Sequence, residues 1–125
     1  MTTRKPYQLV SREWKEENTI IRIGDVEIGG EQTTLMAGPC AVESEEQIFT
    51  ICEFLSKKGV KILRGGAYKP RTSPYSFQGL KLDGLTLLRA AADKHNLKVV
   101  TEVMSSRSVE EVATYADILQ IGTRN

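Results

Sequence analysis

The chain has no apolar run long enough to span a membrane, and its first fifteen residues are polar with both signs of charge, so they do not read as a secretory leader. Net charge is almost absent: 17 Lys and Arg stand against 16 Asp and Glu, a formal +1. No broad basic field is therefore available to recruit nucleic acid or an anionic membrane. Cysteine is scarce as well. Cys40 and Cys52 fall in segments that read as different elements, so a disulfide framework is not expected and both read as reduced thiols. The single histidine, His95, falls at the end of a helical pattern, where the helix dipole favours it and where it is badly placed for catalysis or for metal binding. No solenoid repeat and no low-complexity tract appears. A soluble cytoplasmic protein is the expectation, and 125 residues suffice for one cooperative core but not for two ordinary ones.

What is present is an alternation of short apolar runs and amphipathic stretches. Residues 19–28 carry two β-type runs around Gly24-Asp25, which predicts a hairpin with a Gly-first two-residue turn. From Thr34 the pattern changes to continuously apolar strands, 34–38, 60–63, 98–103 and 117–121, of the kind buried on both faces. Three helices separate them. The first follows Ser44, which with Gln47 forms a Ser-x-x-Gln capping signature, and it carries Ile48, Ile51, Cys52 and Leu55 on one stripe. The second covers about residues 82–95, with Leu85, Leu88 and Ala92 inward, and the third is capped by Ser105 or Ser106 and carries Val109, Val112, Ala113 and Ala116. Strand and helix alternation of this kind predicts right-handed crossovers and a parallel sheet, either open and doubly wound or part of a (β/α)8 barrel. Trp14, in the polar leading segment, reads as a packing anchor, and Cys52 as core.

The chemistry-bearing residues fall just beyond the strands: Cys40 after the first, the stretch from Arg64 to Ser73 after the second, Glu102 at the end of the third and Arg124 after the fourth. In any parallel α/β fold these positions share the face on which ligands bind. The second loop is the most telling. It holds Arg64, Lys69, Arg71, Thr72 and Ser73, so it offers a guanidinium fork, a point charge and hydroxyl donors to an anion, phosphate above all. Gly65 and Gly66 would let backbone approach a ligand closely. Solvated surface charge is the plainer reading, but three cations and two hydroxyls in one loop weigh against it. Glu102 fits either a salt-bridge partner for an arginine or a catalytic carboxylate. Cys40 fits either a small buried residue or a ligand, and one thiolate is not a metal site, which takes about three protein ligands.

Four stretches carry a resemblance: Ala37-Gly38-Pro39-Cys40-Ala41-Val42-Glu43-Ser44, Lys69-Pro70-Arg71-Thr72-Ser73, Thr101-Glu102-Val103-Met104 and Gln120-Ile121-Gly122-Thr123-Arg124-Asn125. From about Pro6 onward the chain resembles 3-deoxy-D-arabino-heptulosonate 7-phosphate (DAHP) synthase, in the branch whose (β/α)8 barrel follows a β-hairpin. The sister 3-deoxy-D-manno-octulosonate 8-phosphate synthases share the Ala-Gly-Pro-Cys-like start but usually have Ala-Asn-Arg-Ser where this chain has Lys-Pro-Arg-Thr-Ser. The resemblance implies the first half of a (β/α)8 TIM barrel, with residues 1–30 as an N-terminal extension and hairpin and residues 31–125 as the half-barrel. It implies condensation of phosphoenolpyruvate with erythrose 4-phosphate, the first step of the shikimate pathway. It further implies that Cys40 ligates a divalent metal (Mn, Fe, Co or Zn), that Arg64, Lys69 and Arg124 hold phosphoenolpyruvate, and that Pro70, Arg71, Thr72 and Ser73 hold the sugar phosphate. Lys69 and Glu102 stand as the catalytic candidates.

The same family requires a His, a Glu and an Asp for the metal, and a further Lys and Arg for phosphoenolpyruvate, from later strands that this sequence does not contain. Thr123 also stands where the family commonly has Ala. The expectation is a fragment, one half of a split protein, or a half that self-associates, with unpaired outer strands seeking a complementary half-barrel. Alone, the chain is expected to lack synthase activity. The alternatives are the octulosonate synthase and a non-catalytic phosphate-binding or assembly subunit.

Overall fold

The computed structural model describes residues 4–69, 73, 75 and 77–123, and the chain divides into two compact units, Met1–Thr34 and Leu35–Asn125. In the first, a 3₁₀ turn at Gln8–Val10 precedes the antiparallel hairpin of β1 (Ile21–Ile23) and β2 (Val26–Ile28). Gly24 has φ 58° and Asp25 has no positive φ, the pattern of a type II′ turn, whose twist suits a two-residue hairpin. Arg22 and Glu27 face each other across the strands and form an ion pair at 3.0 Å. Val26 is the only buried residue among the described residues of this unit. Trp14 accordingly is not sunk in a core: the residue is 54% exposed, and the Arg4 guanidinium lies over its ring, 5.4 Å from the centroid.

The second unit contains β3 (Met36–Ala37), α1 (Glu45–Lys57), β4 (Ile62–Arg64), α2 (Leu82–Lys94), β5 (Lys98–Val103), α3 (Val109–Tyr115) and β6 (Ile118–Ile121). Strands β3 to β6 pair in parallel and in sequence order. That order rejects the doubly wound alternative. A doubly wound sheet reverses direction at a switch point, whereas right-handed crossovers that always step the same way place every helix on one face, as in a barrel wall.

The helix-facing core is built from the stripes visible in the sequence. Ile48 and Cys52 of α1, Leu88, Ala91 and Ala92 of α2, and Leu63 and Val99 of the sheet are all buried together, with Leu55 and Phe49 packed on them. A side chain such as Leu88 or Ile48, fully removed from water, contributes about 1.5–3 kcal/mol. A second cluster joins Ala67, Leu85, Val103 and Val112 beneath α2 and α3. The Cys52 thiol donates to the Ala91 carbonyl at 3.2 Å, and burial raises its pKa to about 11, so it is an inert core group.

At α1, Ser44 accepts from the Gln47 amide at 3.1 Å, as the capping signature predicts. The return bond goes one residue further back, the Gln47 Oε1 accepting from the Glu43 N–H at 2.8 Å while its Nε2 donates to the Ala41 carbonyl at 3.0 Å. The third helix departs from expectation. Neither Ser105 nor Ser106 caps it; a 3₁₀ turn at Ser106–Ser108 comes first, and the Ser108 hydroxyl donates to the Ser105 carbonyl at 3.0 Å. Serine hydroxyls that bond to local carbonyls compete with capping in this way. Burial on both faces holds for β5, whose residues from Val99 to Val103 are all buried, but not for β3 or for β6, where Ile121 is 74% exposed. Those two are the outer strands, each with a single neighbour.

Candidate active site at the carboxyl ends of the parallel strands

Alternation along the strands sorts the residues by face. Leu63, Val99 and Val103 enter the helix-side clusters, so Ile62, Arg64, Val100 and Glu102 project from the opposite, helix-free face. Glu102 is level with Gln120 in the β5–β6 register. The β4–β5 register, in which Arg64 pairs with Val100, brings Gly66 level with Glu102. The layer at the carboxyl end of the sheet, with Glu102 and Gln120, is thus polar, and the layer below it sets Arg64 level with Val100 and Ile118.

Arg64 is the hub of this end. Its Nη1 donates to the carbonyls of Cys40 at 2.9 Å and of Pro39 at 3.2 Å, and its Nε lies 3.4 Å from the Gln120 Oε1. One guanidinium therefore ties the loop carrying Cys40 to β6. Among the described residues these bonds use only its Nε and Nη1. The Val42 amide donates to the Gly66 carbonyl at 2.9 Å, so the Cys40 loop runs alongside the backbone that extends β4. Beneath it, the buried Thr101 hydroxyl donates to the Gly65 carbonyl at 2.6 Å.

The glycine pair serves protein packing where the sequence suggested close approach to a ligand. A Cβ at Gly66 would lie 2.5 Å from the Cys40 carbonyl oxygen and 3.0 Å from the Lys69 Nζ, and one at Gly65 would meet Leu88 at 2.9 Å and Val42 at 3.0 Å. Gly66 is thus the residue that lets the Cys40 backbone and the Lys69 side chain converge. Lys69 is 7% exposed and Glu102 8% exposed, a cation and a carboxylate both sunk at the same end of the sheet. Charged groups are buried at this level only where partners or ligands compensate them.

The loop after Lys69 is closed at its base by two backbone bonds, Lys69 N–H to the Gln78 carbonyl and Lys81 N–H to the Ala67 carbonyl, each 2.8 Å. The Gln78 side chain also donates to the Ser73 carbonyl at 3.2 Å. Pro70, Arg71, Thr72 and Arg124 lie outside the described residues. Cys40 is exposed at the loop after β3. Among the described residues no three His, Cys, Asp or Glu side chains gather into a metal-binding group. Cys40 can therefore supply one donor, and these residues do not fit a complete metal centre.

Three contributions were not assigned from sequence. Gln120 and Thr101 act through hydrogen bonds that only the strand register brings about. The third is Tyr68, whose hydroxyl donates to the Glu111 carboxylate of α3 at 2.7 Å. That bond, with burial and the nearby charge of Glu111 adding to it, raises the Tyr68 pKa to about 12. An aromatic residue directly preceding Lys69 in the anion loop was the available signal. His95 ends α2 as a half-buried C-cap residue, away from this site.

A singly wound parallel sheet with helices on one face is the first half of a (β/α)8 barrel. The sequence profile of the DAHP synthetase I family matches residues 11–125, and the chain belongs to that family. It is 59% identical over 121 residues to a phospho-2-dehydro-3-deoxyheptonate aldolase of Thermotoga maritima, covering 97% of this chain and 36% of that protein. It is 37% identical over 107 residues to a 2-dehydro-3-deoxyphosphooctonate aldolase of Koribacter versatilis, covering 80% of this chain and 38% of that one. The crystal structure of the Thermotoga maritima phospho-2-dehydro-3-deoxyheptonate aldolase (DAHP synthase) superimposes with a TM-score of 0.89 at 57% identity, over 98% of this chain and 36% of that chain. The chain thus spans little more than a third of the length of these relatives.

Proposed function

We propose that the protein to which this chain belongs condenses phosphoenolpyruvate with erythrose 4-phosphate to give DAHP and phosphate, opening aromatic amino acid biosynthesis in the cytoplasm. The observation that carries the reading is the convergence of Arg64, Lys69 and Glu102 at the carboxyl end of the sheet, next to a Lys-Pro-Arg-Thr-Ser loop, in a chain 59% identical to a DAHP synthase. In the reaction, C3 of phosphoenolpyruvate attacks the aldehyde carbon of the sugar phosphate and a carbon–carbon bond forms. Water then adds at C2, and phosphate leaves from the same carbon.

Within that sequence the chain's own residues bind and orient. Arg64, through its Nη2 pair, and Lys69 hold the phosphate and carboxylate of phosphoenolpyruvate, with Arg124 as a third cation. Such charge-assisted contacts act most strongly where water is excluded, as the burial of Lys69 favours. Pro70, Arg71, Thr72 and Ser73 receive the phosphate of the sugar. Glu102, buried in the polar layer, sits beside phosphoenolpyruvate and orients a water against it. Cys40 supplies one donor to a divalent metal, Mn, Fe, Co or Zn by donor type, and the remaining donors come from beyond the described residues. The missing part of the barrel comes from a complementary half-barrel or from self-association, since among the described residues each outer strand pairs on one side only.

The acceptor decides the assignment. With phosphoenolpyruvate as donor, phosphate release should be faster with erythrose 4-phosphate than with arabinose 5-phosphate by about 100-fold or more in kcat/KM. A preference for arabinose 5-phosphate would make the protein an octulosonate synthase, and release with neither would leave a phosphate-binding subunit.

A further inference from the structure

We infer that Tyr68 and Glu111 form a tether between the anion loop and α3 that positions Lys69 for its ligand, an inference that rests on the proposed role of Lys69. Tyr68 and Lys69 are adjacent, and they do opposite things. Lys69 turns inward, its Nζ 3.0 Å from the point where a Gly66 side chain would begin. Tyr68 turns outward, its ring packed on the Ala67–Leu85–Val103–Val112 cluster and its hydroxyl 2.7 Å from the Glu111 Oε1. The two residues share one peptide unit at the bend over Ala67 and Tyr68, so fixing Tyr68 limits the directions open to Lys69.

The bonds at the loop's base do not supply this. Lys69 N–H to the Gln78 carbonyl and Lys81 N–H to the Ala67 carbonyl join the loop's two arms to each other. A ribbon bonded to itself keeps its shape but can still tilt as a unit. The Tyr68 hydroxyl reaches out of the ribbon to a different element, one held against β5 and β6 by Val112 and Leu119. The bond is solvent-exposed, so its net worth to global stability is small, whereas its geometric effect on Lys69 is direct. The hydroxyl keeps its proton throughout the working pH range, since its pKa stands at about 12. Tyr68 therefore remains the donor and Glu111 the acceptor.

Tyr68→Phe removes the hydroxyl and keeps the ring in its packing, Glu111→Ala removes the acceptor, and Glu111→Gln keeps an acceptor oxygen. Phosphoenolpyruvate affinity is measured calorimetrically on the metal-free full-length protein, and kcat and KM on the metal-loaded enzyme. Tyr68→Phe and Glu111→Ala should each weaken phosphoenolpyruvate binding roughly 3- to 10-fold, the span of a lost hydrogen bond, with kcat changed less than about twofold. The double variant should be no worse than either single one, Glu111→Gln should retain most of the affinity, and the thermal midpoint should not move. Wild-type affinity in Tyr68→Phe, or additive losses in the double variant, would overturn the tether while leaving the site assignment standing. A wild-type protein that binds no phosphoenolpyruvate would remove the role of Lys69, and the tether with it.

Discussion

Arg89 at the amino ends of the parallel strands and Arg64 at their carboxyl ends are both partly buried arginines that bridge neighbouring elements, yet their partners differ. Arg89 meets carboxylates: Asp93 at 2.8 Å and Asp117 at 2.9 Å, besides the carbonyls of Tyr115 and Leu97. Asp117 in turn accepts from the Val99 N–H at 2.9 Å, so the pair clamps the starts of β5 and β6 together. Arg64 meets the neutral oxygens of Pro39, Cys40 and Gln120. Neutral partners position a guanidinium without neutralising it. The charge of Arg89 is spent inside the fold, whereas among the described residues no carboxylate neutralises Arg64, as its proposed role in holding an anion requires. In a barrel wall this is the expected division, stability at one face and chemistry at the other.

The contrast can be broken from either end. Asp117→Ala leaves Arg89 and the Val99 amide without their acceptor. Because both side chains keep about a quarter of their surface exposed, 23% and 28%, the cost should be about 2–3 kcal/mol, below the 3–5 of a fully buried pair. Denaturant unfolding measures it, and ligand affinity in the surviving folded protein should be unchanged. Lys69→Ala should do the reverse, weakening phosphoenolpyruvate binding by about 10- to 100-fold in calorimetry with little change in stability. Gly66→Ala tests whether the two properties meet at the carboxyl end. Its Cβ would press on the Cys40 carbonyl oxygen at 2.5 Å, a backbone atom that cannot rotate away. A stability loss of about 1–2 kcal/mol, together with reduced ligand affinity, is expected.

The smallest effect is in the acid limb. Burial alone would raise the Asp117 carboxyl, but hydrogen bonds from Arg89 and the Val99 amide and the charges of Arg89 and Lys98 outweigh it, so the carboxyl is held below its ordinary value. A depressed folded pKa contributes stability that is present above the unfolded value, about 3.9, and is lost as pH falls through the folded one. Asp117→Asn should therefore flatten the loss of stability below about pH 4, in thermal melts across pH, relative to the wild type.

The existence of the strands and helices was legible because period and apolarity mark each of them, even where the burial of the outer strands and the start of the third helix differ. The sheet order was not legible from the alternation alone, which serves doubly wound sheets and barrels alike; the family resemblance pointed to the half-barrel, and the strand order removes the other. The residue types of the loop suggested anion binding. Their wiring was not legible: Arg64 to Gln120 spans 56 positions and Tyr68 to Glu111 spans 43, distances across which sequence alone carries no pairing signal. The protein contacts of the glycine pair were hidden for a related reason, because a missing Cβ reveals that something comes close but not what. In the third helix, consecutive serines offered several capping choices, and local carbonyls took the hydroxyl that capping would have used.

The division between the two ends is tested most directly by comparing Lys69→Ala and Asp117→Ala for both phosphoenolpyruvate affinity and unfolding free energy. The expected result is a crossed pattern: affinity lost with stability kept in the first, and stability lost with affinity kept in the second. Parallel losses in both variants, or unchanged affinity in Lys69→Ala, would contradict it.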